Sequence, residues 1–291
     1  MILIDDIDNA FEYYDLDDKY RVRCYKCASS INSNELFLDS FNKIYNLLNN
    51  EDFSKIKELW EYKEVNELFS NHIDPFVTNL MILLSYKTSQ ANIIKYKLDQ
   101  EQISINKNRI KECFVNDLEI RNYSSVRISQ MLWAYYFVRV KLIEVGRLQY
   151  ELLETINDES IIKIHIPGCN KLDFDKVIDS IELSKEKLKK VFHINNMVFK
   201  CNSWLLSNQL NKLIDKNTNI YKFYSLFDVL DGEECTHDLL NFVFNIKECN
   251  NYNELPEETS LQKIIKNELI NGTVFNIGIG TLKGADPNEW K

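Results

Sequence analysis

Hydrophobic positions recur at two different periods along this chain, and the change falls near residue 145. Before it, apolar residues keep the three-four spacing of amphipathic helices. Asp8–Tyr14 is short and acidic. Asn34 serves as a cap for a helix carrying Leu36, Phe41, Ile44, Leu47 and Leu48. Phe53–Phe69 continues with Ile56, Leu59, Trp60, Val65 and Leu68. Pro75 suits the start of a helix bearing Val77, Leu80, Met81, Leu83 and Leu84. Ile103–Leu118 and Val126–Val140 complete a bundle. In the last helix Trp133, Tyr135, Tyr136 and Phe137 are too close together to share one face, so part of this cluster is expected to line an interface or a pocket.

From Val145 the period becomes two. Val145–Leu153 reads as a half-buried strand with Leu148, Tyr150 and Leu152 on one face and Arg147, Gln149 and Glu151 on the other. The polar stretch Glu154–Ser160 then joins it to a strand Ile161–Ile166, forming an antiparallel hairpin with a long loop. Pro167-Gly168 stops that strand. Phe174, Val177, Ile178, Ile181, Leu188, Val191 and Phe192 predict a long amphipathic helix. Met197–Trp204 is a further strand with Met197, Phe199, Cys201 and Ser203 on one side. Ser207 caps a short helix through Leu213, and Ile220–Val229 reads as another strand. Thr236 and Thr259 precede helices Asp238–Asn245 and Leu261–Ile270, the latter ended by Asn271-Gly272. Val274–Ile279 closes the set, and Gly278-x-Gly280 predicts a bulge or a close backbone approach. The expected organisation is a helical domain over 1–125 and a mixed α+β domain over 126–291.

Composition narrows the function. The 291 residues are 45% hydrophobic and carry a net charge of −9, with scattered basic residues, which argues against nucleic acid and against an anionic membrane as partners. The acidic start Asp5, Asp6, Asp8 is unlike a signal peptide, and a cytoplasmic protein is expected. Seven cysteines at irregular spacing read as free thiols. Cys24-x-x-Cys27 has neither a second pair nor a nearby His, so no metal site is expected.

Five stretches in order, G-R-L-Q-Y-E at Gly146–Glu151, I-H-I-P-G at Ile164–Gly168, C-N-S-W-L-L at Cys201–Leu206, L-P-E-E-T-S-L-Q at Leu255–Gln262 and the glycine-studded Gly272–Gly280, resemble a group of bacterial acyltransferases. Those proteins pair a helical N-acyltransferase N-terminal domain with a GNAT-like C-terminal domain, and the resemblance is specific over about residues 132–282. It implies a helical domain followed by a GNAT-like domain with a mixed, largely antiparallel sheet flanked by helices. It also implies acyl transfer from acetyl-CoA or another acyl-CoA to an amine on a small-molecule or peptide acceptor. Two departures stand out. No R/Q-x-x-G-x-G/A run, whose N–H groups would cradle a pyrophosphate, follows Met197–Trp204, and Asn202 occupies a position where the motif suggests His.

On this reading Glu151 is the first candidate for the base and His165 the second, as base or acid. Backbone N–H groups near Asn202 and Ser203 would polarise the thioester, with Ser203 as a donor near the carbonyl. Arg147 and Gln149 would contact substrate. Trp204 would wall the pocket, and Ser207 and Asn208 would offer helix-start N–H groups to the donor. Two alternatives remain: a non-catalytic GNAT-like module binding a ligand or protein, and a Cys201/His165 acyl-enzyme route. The acceptor, the acyl length and the oligomeric state stay open.

Overall fold

The structure is a computed structural model that describes residues 1–49, 74–168 and 171–284. The chain divides into two compact units, Met1–Ile143 and Glu144–Lys291. The expected helix Phe53–Phe69 lies outside the described residues.

The first unit is helical among its described residues, apart from the start of the first strand. Its helices are α1 (Ile4–Tyr14), α2 (Arg21–Asn32), α3 (Glu35–Asn49), α4 (Val77–Leu84), α5 (Tyr86–Lys95), α6 (Gln100–Glu119) and α7 (Ile128–Val138). Helix α2 has no counterpart in the sequence reading. Its four apolar core residues, Cys24, Cys27, Ala28 and Ile31, are small or sparse, so the period is faint. Cys24 and Cys27 are thus packing groups, and burial pushes each thiol up to about 12. Helix α4 is buried along its whole length. Its polar residues are satisfied internally: Asn79 accepts from the Val126 N–H at 2.9 Å and donates to the Phe114 carbonyl at 3.1 Å. The aromatic cluster on α7 divides by depth. Tyr135 and Phe137 are fully buried, while Trp133 and Tyr136 pack half-buried against the same core, their rings 5.4 Å apart. Helix α7 therefore belongs to the helical unit, Met1–Ile143.

The second unit is built on a six-stranded sheet of order β1-β2-β3-β4-β6-β5: β1 (Leu142–Val145), β2 (Leu148–Ile156), β3 (Glu159–His165), β4 (Asn196–Ser203), β5 (Phe227–Glu234) and β6 (Asn276–Leu282). β3 and β4 run parallel, joined by α8 (Phe174–Phe192); β2–β3, β4–β6 and β6–β5 are antiparallel. This is the mixed, largely antiparallel sheet flanked by helices that was expected, and its arrangement is a GNAT-like α+β fold.

Three local expectations are corrected. Val145–Leu153 is not one strand: Gly146 and Arg147 form a two-residue turn between β1 and β2, with φ +60 at Gly146 alone, as a type II′ hairpin requires. The loop expected at Glu154–Ser160 is likewise a two-residue turn, because Asn157 and Asp158 both adopt positive φ and let the strands run on to Ile156 and Glu159. A bulge at Leu153 absorbs one residue on the way. Finally, Ile220–Ser225 is helical within α10 (Asn219–Ser225). The Thr218 hydroxyl caps it by accepting the Tyr221 N–H, which outweighs the strand preference of its aromatic residues.

Helix α8 presents Val177, Ile181, Ser184, Leu188 and Val191 as its buried stripe. Ser180 ties it to the sheet. Its hydroxyl donates to the Val145 carbonyl and accepts from Tyr150 at 2.9 Å and from the Leu148 N–H at 3.2 Å. A second core lies among α9 (Asn208–Asn211), α11 (Thr236–Val243) and α12 (Ser260–Ile270), around Leu210, Leu239, Ile265 and Phe275. Thr259 and Gln262 make a reciprocal capping box at the start of α12. The paired glycines of β6 permit a close approach. A Cβ on Gly278 would stand 2.0 Å from the Leu206 carbonyl oxygen, and one on Gly280 would stand 2.7 Å from Leu206 Cδ1.

Candidate active site

Register decides which side chains meet. Gln149 pairs with His165, and Glu151 pairs with Lys163. Opposed residues share a face, so all four project from the same side of the sheet. His165 Nε2 lies 2.7 Å from Glu151 Oε2, a diagonal contact between adjacent strands. The two side chains are 19% and 10% exposed. When Nε2–H donates to the carboxylate, Nδ1 carries the lone pair, so the carboxylate fixes both tautomer and ring orientation. The geometry is that of an imidazole held by a carboxylate, and it joins the two residues that the sequence reading named as candidate bases. Beside it Gln149 donates to Glu144 Oε2 at 2.7 Å.

The other candidates separate. Arg147 lies in the hairpin turn and not in the strand row, and its Nε donates to the Lys171 carbonyl at 2.9 Å. Cys201 is buried completely, and burial pushes its thiol up to about 12. Ile162 pairs with Phe199, so Cys201, two residues on, shares the face of Ile162. His165, three residues beyond Ile162, projects from the opposite face. A Cys201–His165 thiolate–imidazolium pair is therefore not formed, and Cys201 is a core residue. Ser203 Oγ caps the short turn Trp204–Leu206 by accepting from the Leu205 N–H. Trp204 packs half-buried against the α11–α12 core.

Ser207 is buried, accepts from the Leu210 N–H and donates to Gln209 Oε1. Asn208 donates to Asp231 at 3.0 Å and accepts from the Tyr224 hydroxyl at 2.8 Å. These last two are engaged within the protein itself. Asn202 is exposed.

The parallel ladder between β3 and β4 ends at Lys163–Lys200, although both strands continue. β4 takes β6 as its partner from Lys200 through Ser203. Backbone groups of β3 and β4 that face each other past this rung have no partner in the ladder. The long helix after β3 does not begin as an anion site. The Asp173 side chain accepts the Lys176 N–H, and Asp175 adds a carboxylate to the first turn.

The last rung belongs to a row of charge that crosses the sheet on the Glu151 face: Glu151, Lys163, Lys200, Thr281 and Asp228 stand in register on five strands. The sequence reading missed both lysines. Each is one polar position in an alternating strand, and only the parallel pairing across α8 makes them neighbours.

The comparisons follow the geometry. Residues 142–282 match the sequence pattern of a family described as GNAT-like C-terminal domain. No curated protein sequence matches the chain. Among solved structures, an acyltransferase in complex with decanoyl-CoA superposes with TM-score 0.62 at 18% identity, covering 76% of this chain and 68% of that one. An acyltransferase mutant in complex with octanoyl-CoA gives 0.61 at 16%, covering 96% and 99%. An acyltransferase in complex with CoA and 10C-teicoplanin gives 0.61 at 15%, covering 95% and 99%. Residues 142–282 thus match the GNAT-like family, and the chain shares its overall fold with these structures.

Proposed function

We propose that this protein is an acyl-CoA-dependent N-acyltransferase acting on an amine of a small-molecule acceptor in the cytoplasm. The observation that carries the reading is the parting of β3 from β4 immediately beside the Glu151–His165 pair. Open strand edges there supply N–H groups for a thioester carbonyl, and the base lies on the adjoining row. The family match over the sheet and the acyl-CoA complexes of the structural neighbours support the same chemistry.

In this mechanism His165, oriented by Glu151, takes a proton from the acceptor ammonium. The free amine attacks the thioester carbonyl, whose developing oxyanion is held by backbone N–H groups at the end of β4 near Asn202 and Ser203. The C–S bond then breaks, and the leaving thiolate takes the proton that the acylated nitrogen gives up. Gln149 lies beside the pair and contacts the acceptor. No metal takes part. The helical residues ahead of the sheet are assigned to the same enzyme as its N-terminal domain.

A second reading has one observation behind it. The acidic start of α8 disfavours a pyrophosphate, as in a non-catalytic module that keeps the shape. Calorimetry of the full chain against acetyl-, octanoyl- and decanoyl-CoA, followed by thiol release with a panel of amines, tests both. Saturable donor binding with amine-dependent CoA release is the expected result. Absence of binding with every donor overturns the enzyme, and tight binding without turnover favours the module.

A further inference from the structure

Two lysines of the sheet hold positions that folding alone does not favour. Lys163 on β3 and Lys200 on β4 face each other as the last rung of the parallel ladder. Like charges directly opposite on neighbouring strands are destabilising, and both residues are half-buried. Among the described residues, neither makes a hydrogen bond or an ion pair within the protein. The carboxylates of their row do not pair with them. Glu151, opposite Lys163, bonds His165 at 2.7 Å. Asp228 stands two strands beyond Lys200, about 10 Å away by strand spacing.

Side chains two residues apart on a strand share a face. His165 and Asn202 therefore form the row after Lys163 and Lys200, on the same side of the sheet. Beyond the last rung β3 and β4 no longer pair, so His165 and Asn202 flank the opening and the two lysines mark its closed end. The two rows lie about 6.7 Å apart along the strands. An amine held at His165 thus has two ammonium groups within reach of a substituent a few bonds from its nitrogen. Asn202, which is exposed, adds an amide to the same space.

We propose that Lys163 and Lys200 hold a carboxylate of the acyl acceptor, so that the acceptor is an amino acid or a similar amine with a carboxylate a few bonds from its nitrogen. The inference rests on the acyl-transfer reading and names the acceptor class for that site. A carboxylate between the two ammonium groups relieves their repulsion and gains charge-assisted hydrogen bonds from both. The row offers point charges, with no guanidinium fork and no helix start, which favours a singly charged carboxylate over the phosphates of the donor.

Steady-state rates of the full chain with octanoyl-CoA and matched acceptors test it. Glycine, β-alanine and leucine are compared with their amides, which lack only the charge. At least one acid should exceed its amide in kcat/KM by about tenfold or more, as a hydrogen bond to a charged group can supply. Lys163→Met/Lys200→Met removes the charges and should bring acid and amide within about threefold, chiefly through the acceptor KM, with donor affinity unchanged. Lys163→Arg/Lys200→Arg should keep the preference. Lys212→Met/Lys216→Met, on exposed residues outside the row, should leave it intact. Calorimetry with N-octanoylglycine and N-octanoylglycinamide reads the same discrimination without turnover.

Equal use of acids and amides by the wild type, or an undiminished preference in Lys163→Met/Lys200→Met, overturns the proposal and leaves acyl transfer standing. Loss of octanoyl-CoA affinity in that variant assigns the pair to the donor and overturns it as well. Absence of turnover with every amine removes the acyl-transfer reading instead. A carboxylate preference in calorimetry that the lysine variant abolishes then supports the pair by itself, and equal binding of acid and amide overturns it.

Discussion

His165 reaches across the β2–β3 ladder to Glu151, at 2.7 Å, and not to its register partner Gln149. The diagonal joins a carboxylate and an imidazole that are two rungs apart on the same face, and it leaves Gln149 to bond Glu144.

Replacing Glu151 by Gln keeps an acceptor beside His165 but removes the charge. Turnover should fall by about 10²–10⁴, with donor affinity nearly unchanged. His165→Ala should cost a similar factor, and the double variant little more, because the two act as one unit. Steady-state rates with a working donor–amine pair give the answer. Additive losses, or wild-type turnover in Glu151→Gln, would remove the pair from the mechanism.

Cys201 should be silent toward thiol reagents. Among the described cysteines of the folded protein, Cys249, which is only partly buried, should react first, and Cys201 only upon unfolding. Cys201→Ala should retain turnover within about threefold, well short of the loss expected for an essential general base. Mass mapping of labelled peptides checks the order of reaction, and early labelling of Cys201 would contradict its place in the core.

Stability should decline at alkaline pH. Burial pushes the thiols of Cys24, Cys27, Cys113, Cys201 and Cys235 up to about 12 from an ordinary value of 9.0. Below pH 9 both folded and unfolded chains keep these protons, so they add no pH dependence. Above it the unfolded chain loses them first, binds fewer protons than the native state, and is favoured. Urea midpoints measured between pH 8 and pH 11 should fall through this window; a flat profile would contradict the burial.

Gly278 and Gly168 make a matched pair of alanine substitutions. Gly278→Ala drives a methyl into the Leu206 carbonyl, a backbone atom that cannot swing aside, and should cost about 1–3 kcal/mol or more. A Cβ on Gly168 would meet nothing within 4 Å, so Gly168→Ala should be nearly neutral. Thermal unfolding of the two variants distinguishes them.

Ser180→Ala should cost about 1–3 kcal/mol. It removes the hydroxyl that both the Tyr150 hydroxyl and the Leu148 N–H meet, while leaving no large void. Tyr150→Phe, which removes one partner and leaves Ser180 otherwise bonded, should cost less. Chemical denaturation of both variants provides the comparison.

What the sequence made legible is what local periodicity controls. Phe174–Phe192 was readable because its apolar stripe repeats over several turns. β4 and the capped α12 were also readable to within a few residues. The turn at Gly146-Arg147 was hidden because the two-residue alternation runs almost unbroken through it, and this moved Arg147 out of the strand row. Ile220–Ser225 was misread because its aromatic residues favour strands, while one hydroxyl at Thr218 decides for helix. At the site, Glu151 and His165 could be named, but their contact depends on a register fixed by the Asn157-Asp158 turn and the Leu153 bulge together. Lys163 beside Lys200 was out of reach, since a parallel pairing across a long helix leaves no local trace.

The change of partner along β4 has a kinetic consequence. β1, β2 and β3 are joined by two-residue turns, so their pairings close over short distances and carry a small entropic cost. The Lys200–Thr281 pairing must wait for most of the intervening chain to be ordered. The half of the sheet that holds Glu151 and His165 should therefore gain amide protection before the half that holds β5 and β6. Refolding followed by pulsed hydrogen exchange should record β2 and β3 as the early phase, with the cleft between β3 and β4 acquiring its second wall last.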